Sequence, residues 1–371
     1  MFWYLVIMCL FLYPVVLSGI SHSRHINIDH FASLCMVSVI GFFMSVRSMY
    51  VGADTKQYVT IFQQISKIDL KNLFSSQLYA WGGYSMTFER GYLLYNKVIS
   101  FFGDNGQLIT IINSLLIVFL LAVFVRKWSQ IPVLSYWLYL TLGFFQTHMN
   151  MSRNAIGIFL GYISFQFIEK KRPVLFSIIV LIASLFHASV LLLLPVYWLV
   201  NYIELNHKRV IKLLIAFVVL GLFFTSIRPV LLRVVPFRFQ RYFLRSSSRF
   251  DGLLVGAFHF FLVLFVYILI RPRNRETLLH DASLGCWMFM IEILFFLLGM
   301  DLSYGTRMAA VYSPFIIVFI PSMISKGVQT QRERTTLTAI LMIITGLQYI
   351  LRLSINNIGS TQPYEFFWNI R

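Results

Sequence analysis

Apolar residues gather along this chain into long runs, and polar residues into short gaps between them. The runs are Phe2 to Ile20, Phe31 to Tyr50, Leu108 to Val125, Pro132 to Thr147, Ala155 to Ile168, Val174 to Val200, Ile211 to Ile227, Leu253 to Ile270, Ala282 to Met300, Met308 to Ile324 and Leu337 to Ile350. Most approach the roughly 17–25 residues that carry a helix across a bilayer core. None alternates with a two-residue period. Backbone groups in lipid must bond within their own segment, so the pattern predicts helices. The expected fold is an all-α polytopic integral membrane protein, with 1–371 as a single transmembrane domain.

Small basic clusters punctuate the runs: Arg126-Lys127, Lys170-Lys171-Arg172, His207-Lys208-Arg209 with Lys212, Arg271-Arg273-Arg275, and Lys326 with Arg332 and Arg334. The positive-inside rule puts these on the cytoplasmic side. Val174 to Val200 is long for one pass and has basic clusters at both ends. Two short passes meeting near His187 keep both clusters inside and give about 12 transmembrane helices, with both termini outside. A single tilted helix there would invert everything after it. Two outer-face loops follow from the twelve-crossing arrangement. Val51 to Gly106 is the longest polar stretch, and its aromatic residues predict segments lying at the membrane surface. The other, 228–252, is Arg-rich, carrying Arg228, Arg233, Arg238, Arg241, Arg245 and Arg249 against the positive-inside expectation. The first apolar run lacks a basic leader and reads as a retained span.

Composition narrows the functional classes. Of 371 residues, 58% are hydrophobic and only 12% charged, against about 25% charged in soluble domains. The net charge of +17 lies largely in short loops and offers no contiguous basic groove for nucleic acid. Cys9, Cys35 and Cys286 sit inside apolar runs as packing residues. The eight histidines lack metal-ligand spacing, and the chain has no phosphate-binding loop, dinucleotide turn or Ser-centred nucleophile elbow. Neither a metal nor a cofactor is expected.

A charge at membrane depth costs roughly 2.5–3.5 kcal/mol on insertion scales, so each one is a functional candidate. These are Arg47, Asp54, Glu89, Arg90, Arg153, His187, Glu292, Asp301, Arg307 and Arg352. In the twelve-crossing arrangement nearly all fall near the outer face. Taken singly, each also fits a snorkelling or loop role. Glu292 has no obvious partner and reads as a neutral acid or a helix–helix contact.

Several segments around these residues resemble the EpsG-type polysaccharide polymerases, relatives of the Wzy O-antigen and capsule polymerases. RSMYVGADTKQY (Arg47 to Tyr58) is similar to the family's Arg, Gly-x-Asp-Thr, Tyr element after the second span, and FERGYLLYNKVI (Phe88 to Ile99) to its Glu-x-Gly-Tyr element. MNMSRNAIGIFL (Met149 to Leu160) resembles its Arg-led fifth span, with Asn154 where many relatives carry Gln. IASLFHASVLLLLPVY (Ile182 to Tyr197) resembles its His-containing hairpin, and PYEF (Pro363 to Phe366) its terminal element.

The resemblance implies a fold like that of the multi-spanning glycosyltransferases that use lipid-phosphate sugar donors. It also implies a metal-independent polymerase at the outer face of a bacterial inner membrane. The enzyme would move a growing glycan from undecaprenyl diphosphate onto the next lipid-linked repeat unit, in company with membrane lipid and with a flippase and chain-length regulator of the same pathway. The leaving pyrophosphate is already a stable anion and needs charge more than a proton, which arginine forks supply. Arg47, Arg153, Arg241 and Arg307 are the candidates. Asp54, Glu89 and His187 are candidates for orienting or deprotonating the acceptor hydroxyl, with Asp54 favoured. Tyr50, Tyr58, Trp81 and Tyr84 are candidate sugar platforms or interfacial anchors. A flippase of lipid-linked oligosaccharide and an O-antigen-type ligase remain open alternatives. The sugars joined and the linkage formed are not legible.

Overall fold

The computed structural model describes all residues except 21–25, 225, 227–228, 231–232, 234–249, 271–274, 276–278, 300–304 and 370–371. The apolar runs are helical, as their pattern predicts. Among the described residues four helices are long and apolar enough to cross a membrane: Gly106–Trp128, Gly252–Leu269, Gly305–Gly327 and Gln331–Ile355; shorter apolar helices accompany them. The chain packs as two compact units, Met1–Leu191 with Thr338–Arg371, and Leu192–Leu337.

In the first unit, α1 (Phe2–Ile20), α2 (Ile26–Ser45), α5 (Gly106–Trp128), α6 (Pro132–Thr141) and α8 (Ser152–Tyr162) build the apolar body. α2 packs on α1 and α5, and α5 on α8. α5 shows why these helices suit lipid. Ile109, Ile117, Leu121 and Phe124 are buried on one face, while Leu115, Phe119 and Val123 are exposed on another. An apolar outer stripe is unfavourable in water and neutral in a bilayer. Trp137 on α6 donates its indole N–H to Thr345 Oγ1 at 3.0 Å, tying α6 to the Gln331–Ile355 helix.

Two expected passes are interrupted. In Pro132 to Thr147 the break is Gly143, which adopts φ +83° between α6 and α7 (Phe144–Asn150). In Val174 to Val200, α10 (Pro173–Ser184) stops before His187, and a 3-10 stretch, Ala188–Leu193, precedes α11 (Leu194–Tyr202). That run is therefore not one continuous helix.

Between α2 and α5 the chain forms a small mixed layer: α3 (Thr55–Lys67), a hairpin of β1 (Leu78–Tyr79) and β2 (Ser85–Met86), and α4 (Arg90–Ser100). The strands pair Leu78 with Met86 and Tyr79 with Ser85, and Gly82 and Gly83 supply the positive-φ turn. α3 buries Thr55, Tyr58, Val59, Phe62 and Ile65 at helical spacing. Ile61, Ile65, Leu73, Leu78 and Leu93 form one core, and Val59, Phe62, Ile99 and Ile109 join the layer to α5. Lys97 donates from Nζ to Ile65 O and Ser66 O at 3.3 and 3.1 Å, capping the last turn of α3. α4 leaves Leu94, Val98, Phe101 and Phe102 exposed in one stripe.

The second unit packs α12 (His207–Leu222) and the helix Phe250–Leu269 against the helix Ser283–Leu298. Leu214, Val218, Gly256, Phe260, Ile293 and Phe296 line an apolar cavity of about 440 Å³ there. Glu292 does have a partner: His259 Nδ1 lies 2.6 Å from its Oε1, both residues fully buried. An acid can remain in an apolar helix when an imidazole from the next helix meets it.

Candidate active site

The polar element that follows α2 folds into a clamped turn. Gly52 has φ +97°, and a Cβ there would lie 2.9 Å from Thr55 Oγ1 and 3.1 Å from Asn150 Cα, so only glycine fits. Its N–H donates to Ser360 O at 3.0 Å. Asn150 Oδ1, at the end of α7, accepts from the Asp54 N–H at 2.8 Å. Thr55 Oγ1 turns back to Val51 O at 2.7 Å. Asp54 thus sits at the N-cap of α3 with its backbone fixed and its carboxylate making no cap bond. One turn on, the buried Tyr58 feels the charges of both Asp54 and Arg153. Burial foremost, and then the Asp54 charge, pushes this phenol above its ordinary pKa against the pull of Arg153. It stays neutral and shares a hydrogen bond with the Arg153 backbone.

The second element opens α4. Glu89 pairs with Arg153 Nη1 through Oε2 and accepts the Ala188 N–H on Oε1 at 3.0 Å. The side chains of Arg153 and Glu89 are only 16% and 23% exposed. The Arg153 guanidinium stacks 4.6 Å over Phe88 and 5.8 Å from Tyr92. Burial first, eased by Asn113 and Arg153, raises the Tyr92 pKa. Gly91 permits the close approach of α4 to the break after α10. A Cβ there would stand 2.5 Å from Leu185 Cβ and 2.8 Å from Leu185 O, and next to it the Tyr92 N–H donates to that same carbonyl at 3.0 Å.

His187 lies in that break. Its Nδ1 meets Ser189 Oγ at 2.7 Å, the Ser189 N–H at 3.3 Å and Asn154 Nδ2 at 3.3 Å. An amide N–H and a carboxamide NH₂ can only donate, so Nδ1 accepts and the ring proton sits on Nε2. The Nδ1 lone pair of His187 is thereby engaged within its own loop. Buried Asn154 also donates to Ser189 Oγ at 3.2 Å, giving it a clear role in holding this loop.

Asp54, Glu89, Arg153 and His187, distant in sequence, thus belong to one polar cluster with Tyr58 and Tyr92. Other expectations are corrected. Arg47 is 1% exposed, and its guanidinium donates to Met44 O, to Ser114 Oγ at 2.9 Å and to Met149 O at 3.0 Å. Its backbone also pairs with Phe366. It ties α2, α5, α7 and the C-terminal segment together, which leaves no open fork for pyrophosphate. Tyr58 is buried with its ring against Tyr92, so it has no free face for a sugar. Trp81 and Tyr84 are open, 52% and 55% exposed. Arg307 is exposed in the second unit, within Gly305–Ala309. Arg241 and Asp301 lie outside the described residues. Arg352 donates to Leu142 O at 3.0 Å, beside Gly143, a packing role. Asn150 and Tyr92 were missed, and Asn154 was singled out only as a departure from its relatives. Each lies inside a quoted segment, yet neutral side chains carry no membrane-depth cost to draw notice.

Among the described residues no group of three or more His, Cys, Asp or Glu side chains is placed to hold a metal. Fold and site together define a helical membrane protein with a polar cluster built on the layer between α2 and α5 and on the helix ends beside it. The chain matches the model of the EpsG family over residues 30–366 and belongs to that family, one of Wzy-like polysaccharide polymerases. Membership gives it a general role in polysaccharide polymerisation. No curated protein and no solved structure matches the chain.

Proposed function

We propose that this chain is a glycosyltransferase that extends a polysaccharide carried on undecaprenyl diphosphate, at the outer face of a bacterial inner membrane. The observation that carries the proposal is the chain of contacts from Asp54 through Tyr58 and Tyr92 to Arg153 and Glu89, with Glu89 bonded to Ala188 next to His187, in a member of a polymerase family. In this reading the fork of Arg153 meets the pyrophosphate oxygens, and its rigid stacking on Phe88 keeps it aimed. The donor anomeric carbon leaves the phosphate oxygen, which keeps the electron pair as an anion, and the acceptor hydroxyl adds to that carbon as Asp54 takes its proton. Glu89 positions Arg153 and the Ala188 backbone, and His187 with Ser189 and Asn154 holds the loop that carries that amide. The twelve-crossing topology belongs to the same proposal, with the exposed α4 stripe lying in the outer headgroup layer.

The test is the size distribution of lipid-linked and surface glycan in cells with and without the gene. Loss of the ladder, with single units accumulating on their carrier at the outer face, is expected. Units trapped on the cytoplasmic side would mean a flippase, and an intact ladder left on its carrier would mean a ligase. Arg153→Lys keeps the charge but loses the fork, and abolishes most chain extension. Full polymer from that variant at equal protein level removes Arg153 from the site.

A further inference from the structure

Two residues beyond Asp54, the first turn of α3 carries a lysine held between aromatic rings. Lys56 Nζ stands 3.9 Å from the centroid of Tyr50 and 5.4 Å from that of Trp81. Among the described residues no carboxylate lies within ion-pair distance of this ammonium, and none of its N–H groups meets an oxygen. The rings fix the cation without using its directional donors. Tyr50, Trp81 and Tyr84 are all exposed beside it.

The hairpin that carries Trp81 is anchored on α3. Gln57 Oε1 accepts the Trp81 N–H at 2.8 Å, and Gln57 Nε2 donates to Tyr84 Oη at 3.2 Å. Two turns along the same face, Gln64 accepts the Tyr79 N–H at 2.9 Å and donates to Tyr79 O at 2.5 Å. Two carboxamides at this spacing hold the hairpin backbone as a neighbouring strand would. The aromatic tip and the ammonium are thereby fixed relative to Asp54. The N-terminus of α3 adds partial positive charge at the same place.

We propose that Lys56, Tyr50 and Trp81 form a subsite for an acidic sugar of the repeat unit, deepening the polymerase reading on which this inference rests. The sugar carboxylate meets the Lys56 ammonium, and the C–H face of the ring packs on Trp81. An acceptor bound so presents a neighbouring hydroxyl toward Asp54. Neutral sugars use only the rings, which makes Lys56 the residue that selects for charge.

The full chain in detergent is titrated with a glucuronate-containing oligosaccharide and with its carboxyl-reduced, neutral form. Tryptophan fluorescence is the readout, and Trp81→Phe identifies the signal. The acidic form is expected to bind about five- to ten-fold more tightly, the range of one charge-assisted contact at a partly open site. Lys56→Gln removes that preference and Lys56→Arg keeps it. Equal binding of the two forms, a preference that survives Lys56→Gln, or a Trp81 signal quenched by brominated-lipid vesicles while neither saccharide binds would each overturn the subsite. A full glycan ladder in cells lacking the gene would instead sink the polymerase reading and leave the binding result standing.

Discussion

Gly91→Ala adds one methyl group at the seam where α4 meets the break after α10. The new Cβ would sit 2.5 Å from Leu185 Cβ and 2.8 Å from Leu185 O. Carbon atoms in contact settle at about 3.5–4.0 Å, so the two segments must part by about 1 Å. Two hydrogen bonds cross this seam, Tyr92 N–H to Leu185 O and Ala188 N–H to Glu89 Oε1, both 3.0 Å. Stretching each by about 1 Å carries it beyond hydrogen-bond range. Glu89 then loses one of its two anchors, and Arg153 and His187 lose their common reference. Overpacking of this kind costs about 1–3 kcal/mol of stability. A 1 Å misplacement of reacting groups costs about 100-fold in rate. The larger effect is therefore on chain extension, with folding mostly kept.

The assay is the glycan ladder from cells carrying only the variant, normalised to protein in the membrane. Gly91→Ala is expected to give short chains or single units at near-normal protein level. Gly41→Ala on α2 is the control, because a Cβ there meets only Val118 Cγ1 and Cγ2 at 3.6 and 3.8 Å, ordinary contacts. Leu185→Gly in the Gly91→Ala background removes one of the two clashes and restores part of the ladder; the carbonyl clash remains. A full-length ladder from Gly91→Ala at equal protein level would refute the claim that this seam sets the site.

Asp54→Asn keeps the turn and the start of α3, since the carboxylate makes no cap bond, yet loses the base. Extension falls about 100-fold or more at unchanged protein level, and normal ladders from it would remove Asp54 from the chemistry. Arg47→Met does the reverse: it deletes the guanidinium bonds to Ser114 and Met149 at about 3 kcal/mol. Protein level and melting temperature drop, while each surviving folded molecule still extends chains. Wild-type stability in this variant would overturn the packing role.

The helical membrane body was legible because apolar run length leaves the backbone few alternatives. Charge near lipid is costly, which singled out Asp54, Glu89, Arg153 and His187; of these Glu89 pairs with Arg153 and holds the amide beside His187, while Asp54 is linked through Tyr58. Burial alone did not separate roles. Arg47 and Arg153 follow the same sequence logic, and the difference lies in what surrounds each fork: Ser114 and backbone carbonyls in one case, Glu89 and two rings in the other. Glu292 seemed unpartnered because a histidine in a run of phenylalanines, His259, costs little when neutral and so drew no notice. The grip of Gln57 and Gln64 on the hairpin is a tertiary fact between neutral polar groups. Nothing in a linear pattern ranks it above ordinary solvation.

The placement of the site follows from the same physics. Transmembrane helices satisfy their backbones internally and present side chains, which suits packing but gives few fixed N–H and C=O groups to organise polar chemistry. The cluster here gathers where helices stop: the N-terminus of α3 after a left-handed glycine, the N-terminus of α4, the start of α8 and the break after α10. At each stop backbone groups become available, and the chain spends them on position. Asn150 holds Asp54, Glu89 holds the Ala188 amide, and Asn154 with Ser189 sets the His187 tautomer. Each of these is a bond between a polar side chain and a helix end, or between two loops. Removing any one of them should therefore weaken catalysis more than folding, because the apolar body packs independently of them. Arg47 is the exception, since its bonds run into that body.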